Sequence, residues 1–167
     1  MKKFTAIVLL SLLPFAANAE WVGGVGYVNL SDDDGGIDVS LDAIAASIGY
    51  RFASENDFFL MPEFRIGIGV GDDTVLGVNV EVESLLAFSV RGQYDFASGA
   101  YVYAAPSYAN LDLKATSGSV SASEDDWEFG FGAGFGYRFT DTVSGELSYE
   151  TYDGTDVIGV AAKFWFK

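Results

Sequence analysis

Trp127-Glu128-Phe129-Gly130-Phe131-Gly132-Ala133-Gly134-Phe135-Gly136-Tyr137-Arg138-Phe139 alternates with period two from end to end. Every odd position is aromatic except Ala133, and every even position is glycine or charged. A period of two belongs to a strand whose faces meet different surroundings, whereas a helix would scatter the same rings around its circumference. The glycines alternate along a strand with no helix after them, so this is not a phosphate-cradling loop.

The same pattern recurs on both sides. In Asp57 to Val70, Phe58, Leu60, Pro62, Phe64, Ile66, Ile68 and Val70 oppose Phe59, Met61, Glu63, Arg65, Gly67 and Gly69. In Asp38 to Phe52, Ile44, Ala46, Ile48, Tyr50 and Phe52 oppose Ala43, Ala45, Ser47, Gly49 and Arg51. In Val80 to Phe96, the even positions group Val80, Val82, Leu86, Phe88, Val90 and Tyr94 against Glu81, Glu83, Ala87, Arg91 and Gln93. Four weaker segments, Trp21 to Leu30, Ala100 to Leu113, Val143 to Tyr152 and Val157 to Phe166, complete a set of eight. Gly and Ala dilute the first two, whose faces stay unassigned. In the last two, Ser144, Glu146, Ser148 and Glu150 oppose Val143, Leu147 and Tyr149, and Lys163 opposes Val160, Ala162, Phe164 and Phe166. No capped apolar pattern of helical period follows residue 20, so the chain is all-β.

Connections alternate in length. Short turns are expected at Ala53 to Asn56, Ala97 to Gly99 and Thr140 to Thr142. Loops rich in Gly, Ser and Asp are expected at Ser31 to Ile37, Gly71 to Asn79, Lys114 to Asp125 and Asp153 to Asp156. An even number of strands with short turns at one end and mostly longer loops at the other predicts an eight-stranded antiparallel up-and-down transmembrane β-barrel. A soluble barrel also alternates, but charge identity separates the two. Water-facing strands carry scattered Lys and Glu, whereas here Lys is scarce and every Arg lies on the small, Gly-rich face. Arg51, Glu63, Arg65, Glu81, Glu83, Arg91, Glu128, Arg138, Glu146, Glu150 and Lys163 are therefore expected to form an ion-paired luminal network. Tyr50, Phe52, Phe58, Tyr94, Phe96, Tyr101, Tyr137, Phe139, Phe164 and Phe166 cluster near the short turns and the C-terminus as one aromatic girdle, with Trp127 and Tyr152 assigned to the opposite one.

Met1-Lys2-Lys3, an apolar run from Phe4 to Phe15 and Ala17-Asn18-Ala19 form a cleavable export signal over residues 1–19, too short to span a bilayer, leaving a barrel domain over 20–167. No Cys follows the cleavage site, which excludes a lipid anchor there. Loss of Lys2 and Lys3 leaves seven bases against 24 acids, a net charge of −17. Such a surface disfavours nucleic acid and other polyanions.

With its signal, its strands, the turn after Tyr137-Arg138-Phe139 and the terminal Phe164-Trp165-Phe166, the chain resembles the OmpA/OmpX-type small barrels of the outer-membrane β-barrel domain family. The resemblance covers the whole mature chain. It implies a place in the cell outer membrane among lipid and lipopolysaccharide, insertion by the barrel assembly machinery, and a monomer. Lys167 follows Phe166, where these families end on the aromatic itself. A cell-wall-binding domain like that of full-length OmpA proteins is not expected.

The enzymes among outer-membrane barrels resemble one another in using a His, and this chain has no His and no Cys. Ser-His-acid and Cys-His sites are thereby excluded, as is a His-containing zinc site. Glu81 with Glu83 and Glu146 with Glu150 could be paired catalytic carboxylates, but their arginine neighbours point to structural ion pairs. Ser31 to Asp38 and Glu124-Asp125-Asp126 offer oxygen donors without the twelve-residue calcium-loop pattern. No catalytic residue, metal or cofactor is expected. The leading expectation is a structural or surface role with acidic extracellular loops of unknown ligand, and the alternative is a narrow channel or solute-uptake barrel gated by the luminal Arg/Glu pairs.

Overall fold

A computed structural model describes residues 20–32, 39–52, 56–75, 78–117 and 120–166. The expected signal, residues 1–19, lies outside them. Among the described residues nine strands run in chain order: β1 Glu20–Asp32, β2 Val39–Arg51, β3 Phe58–Gly69, β4 Asp72–Val75, β5 Val78–Asp95, β6 Ala100–Ser117, β7 Val120–Arg138, β8 Val143–Thr151 and β9 Thr155–Phe166. Consecutive strands pair antiparallel except β3 and β4, which both pair β5, and β1 pairs β9 from Trp21↔Phe166 to Asp32↔Thr155. The sheet therefore closes, with β4 continuing β3 on the same edge of β5, and the wall has eight staves.

Closure puts the polar faces inside. Phe129 and Ile68 are 68% and 64% exposed, whereas Arg91 and Lys163 are 1% and 4% exposed. That inversion of the usual burial order is the arrangement lipid selects. From Phe58 to Val70 the outward side carries no charge. At about 3.3 Å per residue and about 40° of tilt, this covers roughly 30 Å, the thickness of a hydrocarbon core. Along the short-turn end, Trp21 meets Tyr50 edge-on at 4.9 Å, and Tyr94 meets Phe96 at 5.1 Å. Towards the other end, Trp127 stacks on Tyr108 at 5.0 Å.

Two girdle assignments are corrected. Tyr101 is fully buried and Tyr152 nearly so, both inside the lumen. In register with the inward tyrosines of β6 stand the inward glycines of β7, Tyr101↔Gly136 and Tyr103↔Gly134. A Cβ on Gly136 would collide with the Tyr101 ring, one on Gly134 with Tyr103, and one on Gly130 with Tyr152. Glycine leaves the space that the rings occupy.

The loops expected at Gly71 to Asn79 and Lys114 to Asp125 are also corrected, because most of their residues are paired strand. β4 pairs β5 from Asp72↔Glu81 to Val75↔Val78, and β6 pairs β7 up to Ser117↔Val120. With Asn79↔Thr116 joining the two hairpins, β4 to β7 extend the wall as a four-stranded ribbon. Gly, Ser and Asp suggest turns by composition, but antiparallel pairing is a property of the backbone and persists wherever two segments stay in register.

Within β5 the register against β6 slips by one, from Val82↔Leu113 to Ser84↔Asp112, leaving Glu83 as the inserted residue of a bulge. One inserted residue reverses the faces beyond it. Below the bulge Ala87, Ser89, Arg91 and Gln93 are buried and turned inward, as expected. Above it Val82 is buried, Val80 packs on the same inner cluster, and Glu81 turns outward.

Gly136→Ala should destabilise the folded barrel by roughly 1 to 3 kcal/mol, the usual cost of overpacking, because the Tyr101 ring has nowhere to retreat. Urea unfolding in lipid vesicles followed by tryptophan fluorescence measures it. An unchanged midpoint would show that the tyrosine does not need the space.

Candidate functional site

The luminal side chains form three tiers. At the short-turn end, Arg51 stands opposite Glu20 in register and donates to it at 3.1 Å. The same guanidinium binds Asp95, which also accepts from Arg138 at 2.8 Å and from Gln93 at 2.7 Å. Arg51 lies 3.3 Å above the Phe59 ring, and Arg138 lies 4.4 Å from the Trp165 ring. Guanidinium suits this crowded setting because it pairs at its edge and stacks on its face.

The middle tier centres on Arg91. Its Nη2 donates to Glu146 at 2.7 Å and its Nη1 to Glu63 at 3.2 Å, while its plane lies 3.6 Å from the Tyr103 ring centre. Lys163 binds Glu63 and donates to Ser47 at 2.8 Å. Tyr101 Oη lies 2.9 Å from both Ser144 and Glu146, and Trp165 donates to Ser144 at 3.0 Å. Two cations and two carboxylates thus neutralise one another across strands β3, β5, β8 and β9. The free space among Glu63, Arg65, Arg91 and Glu146 is about 50 Å³, room for little more than a water or two.

In the upper tier, Arg65 donates to both oxygens of Glu150 at 2.7 and 2.6 Å, the two-pronged geometry that makes such pairs strong. Tyr152 donates to Glu150 at 2.6 Å and shares a 2.8 Å hydrogen bond with Ser107. Above this tier the lumen becomes apolar, with Val28, Leu30, Leu41, Val82, Leu85 and Val157 in one buried cluster.

Of the eleven residues expected in the lumen, Arg51, Glu63, Arg65, Arg91, Arg138, Glu146, Glu150 and Lys163 are brought together in these tiers. Glu81 and Glu83 are not, which corrects that part of the expectation. Past the β5 bulge they face outward and pair with Lys114 at 2.9 and 3.4 Å. On this ribbon the hydrogen bond to Glu81, helped by Glu83, holds the Lys114 ammonium above its ordinary value. Glu128 stands apart in the upper lumen, facing Asp32, Asp126 and Asp153.

Sequence reasoning missed Glu20, Asp95 and the tyrosines. Asp95 shares the parity of Arg91 and Gln93 and was legible on that ground, whereas Glu20 required the unassigned face of β1. The signal for Tyr101 and Tyr103 was the glycine row of β7, which demands large partners opposite. Among the described residues no cluster of acids, His or Cys could hold a metal ion. Most of Ser31 to Asp38 lies outside the described residues.

Known proteins share this architecture. The attachment invasion locus protein Ail of Yersinia pestis, solved in complex with the heparin analogue sucrose octasulfate, superposes with a TM-score of 0.65 at 15% identity, over 89% of this chain and 98% of that one. The N-terminal β-barrel domain of Pseudomonas aeruginosa OprF gives 0.57 at 16%, over 87% and 97%. Neisserial surface protein A gives 0.55 at 15%, over 89% and 96%. No curated sequence matches, and at these identities the structures establish the fold alone. A family profile for the outer membrane protein beta-barrel domain matches residues 4–164. The chain accordingly belongs to the outer membrane protein beta-barrel domain family, and its place is the cell outer membrane.

Proposed function

We propose that this chain is a non-enzymatic outer-membrane protein with a structural and surface-display role, its lumen sealed by the ion-paired tiers. Residues 1–19 serve as its export signal, the barrel assembly machinery inserts it, and it stands as a monomer among lipid and lipopolysaccharide. The observation that carries the reading is Arg91, fully buried and bridging Glu63 and Glu146 across the bore. A conducting path needs water along its length, and this tier leaves almost none.

Chemistry is disfavoured by the same residues. Glu63, Glu146 and Glu150 are each tied to Arg or Lys, so none is poised to exchange a proton with a substrate. The chain also has no His or Cys to act as base or nucleophile. Display falls to the ribbon and loops, which are acidic. Ail has been solved with a heparin analogue, but the −17 charge expected for the mature chain makes a polyanion a poor partner here.

Purified barrel added to planar bilayers should show no steady conductance, and a large, stable pore current would overturn the sealed lumen. Arg91→Ala should cost about 3 to 5 kcal/mol in urea unfolding, since it leaves two buried carboxylates with only Lys163 between them. A loss below about 1 kcal/mol would mean that water already screens these charges, as the gated-channel alternative requires.

A further inference from the structure

We propose that the ribbon end of the lumen is a binding pocket for a small amphipathic cation, an apolar body carrying an ammonium group. Two adjoining cavities lie there, of about 220 and 270 Å³, sharing walls at Leu30, Leu111, Leu113 and Thr155. The lower lumen is filled so tightly that glycines are needed to admit its side chains, yet directly above it the same cylinder is left open. Leu30, Leu85, Leu111, Leu113 and Val157 line the deeper cavity. The shallower cavity is walled mostly by Leu30, Val39, Leu41, Val80, Leu111 and Leu113. Water needs several polar partners to occupy a cavity and finds few there, so that part of the space suits an apolar occupant. The mouth of a β-barrel is a usual place for such a site, with walls mostly apolar and a few polar groups giving orientation.

Charge selects the head group. At the bottom of the pocket, both Nη atoms of Arg65 bind Glu150 in two-pronged fashion, its Nε alone going without a partner, and Tyr152 donates to the same carboxylate. That floor is neutral and offers no free cation to an anionic ligand. The sides are acidic: Asp126, Glu128 and Asp153 line the deeper cavity, Asp32 lines both, and Glu128 faces the other three. Among the described residues no Lys or Arg forms an ion pair with Glu128. A carboxylate ligand would meet repulsion here, and an ammonium would meet attraction in a partly desolvated setting where such contacts count most. The site goes beyond the sealed-barrel reading and does not depend on it, because the pocket lies above the tiers that block conduction.

Isothermal titration of octyltrimethylammonium into the full barrel in lipid nanodiscs, with empty nanodiscs as the blank, tests the assignment. Saturable binding at one site per barrel is expected, with octanoate of equal chain length at least roughly tenfold weaker. Glu128→Gln should weaken the ammonium roughly tenfold by removing one charge contact, and Leu111→Trp, which fills the cavity, should abolish saturation. Heat-modifiable migration in gels checks that each variant has folded. No saturable heat above the blank, or equal binding of octanoate and octyltrimethylammonium, would overturn the proposal on the unaltered protein alone. So would full binding by a folded Leu111→Trp variant.

Discussion

A strand in lipid must have both of its edges paired, because hydrocarbon offers no partner to a free N–H or C=O. Here the requirement is met when β1 pairs β9 and the first and last strands of the sheet become neighbours. With eight staves the bore is only wide enough for side chains. Inward positions therefore cannot be chosen one at a time. Where β6 contributes Tyr101 and Tyr103, the facing positions of β7 have to be Gly136 and Gly134. Where β8 contributes Glu150, Gly132 stands opposite. The most conspicuous feature of the sequence, glycine at every second residue from Gly130 to Gly136 of β7, is the negative image of the side chains that fill the cylinder.

Electrostatics then follows from closure. The pairs in the lumen join residues far apart in the chain, with Arg65 and Glu150 separated by 85 positions and Lys163 and Glu63 by 100. None of these contacts can form in an open sheet, so neutralising the charges and closing the barrel belong to one event. A buried ion pair adds little to stability relative to apolar packing, but losing one partner is expensive. Such pairs act less as glue than as a condition on the fold, one that misregistered strands would fail. The tiers tie β3 to β8 and to β9 across the bore, so strands on opposite sides of the cylinder are held to one another.

Reading faces from the sequence succeeded wherever one parity held from end to end. For β2, β3, β7, β8 and β9 the aromatic and aliphatic rows face lipid and the Gly, Ser, Arg and Glu rows face inward, as alternation predicts. It failed on β5 above Ser84, because a bulge leaves no mark in the pattern: Glu81 and Glu83 continue the parity of Arg91 in sequence but lie on the other side in space. On β1 and β6 alternating small residues left the faces undetermined, which hid Glu20 and put Tyr101 in the wrong layer. Tyr152 was misplaced for a simpler reason, since an aromatic beside a turn suits either a girdle or a lumen and only its parity with Glu150 decides. The ribbon was illegible because turn-rich composition and paired backbone are compatible.

Charge is also distributed unevenly along the barrel axis. Within the tiers, Arg51, Arg65, Arg91, Arg138 and Lys163 are matched by Glu20, Glu63, Asp95, Glu146 and Glu150. The bore that crosses the lipid is therefore neutral, although the chain as a whole is strongly acidic. Five of the seven bases remaining after signal removal are consumed in that balance, and Lys114 is the one that stands on the ribbon. The excess negative charge must then lie beyond the membrane core, mostly at the ribbon end, where Asp32, Asp126, Glu128 and Asp153 edge the open part of the lumen. A neutral, packed shaft beneath an acidic, partly hollow crown separates two physical tasks. The shaft meets the demands of lipid and closure, and the crown, free of both, is where recognition can be built.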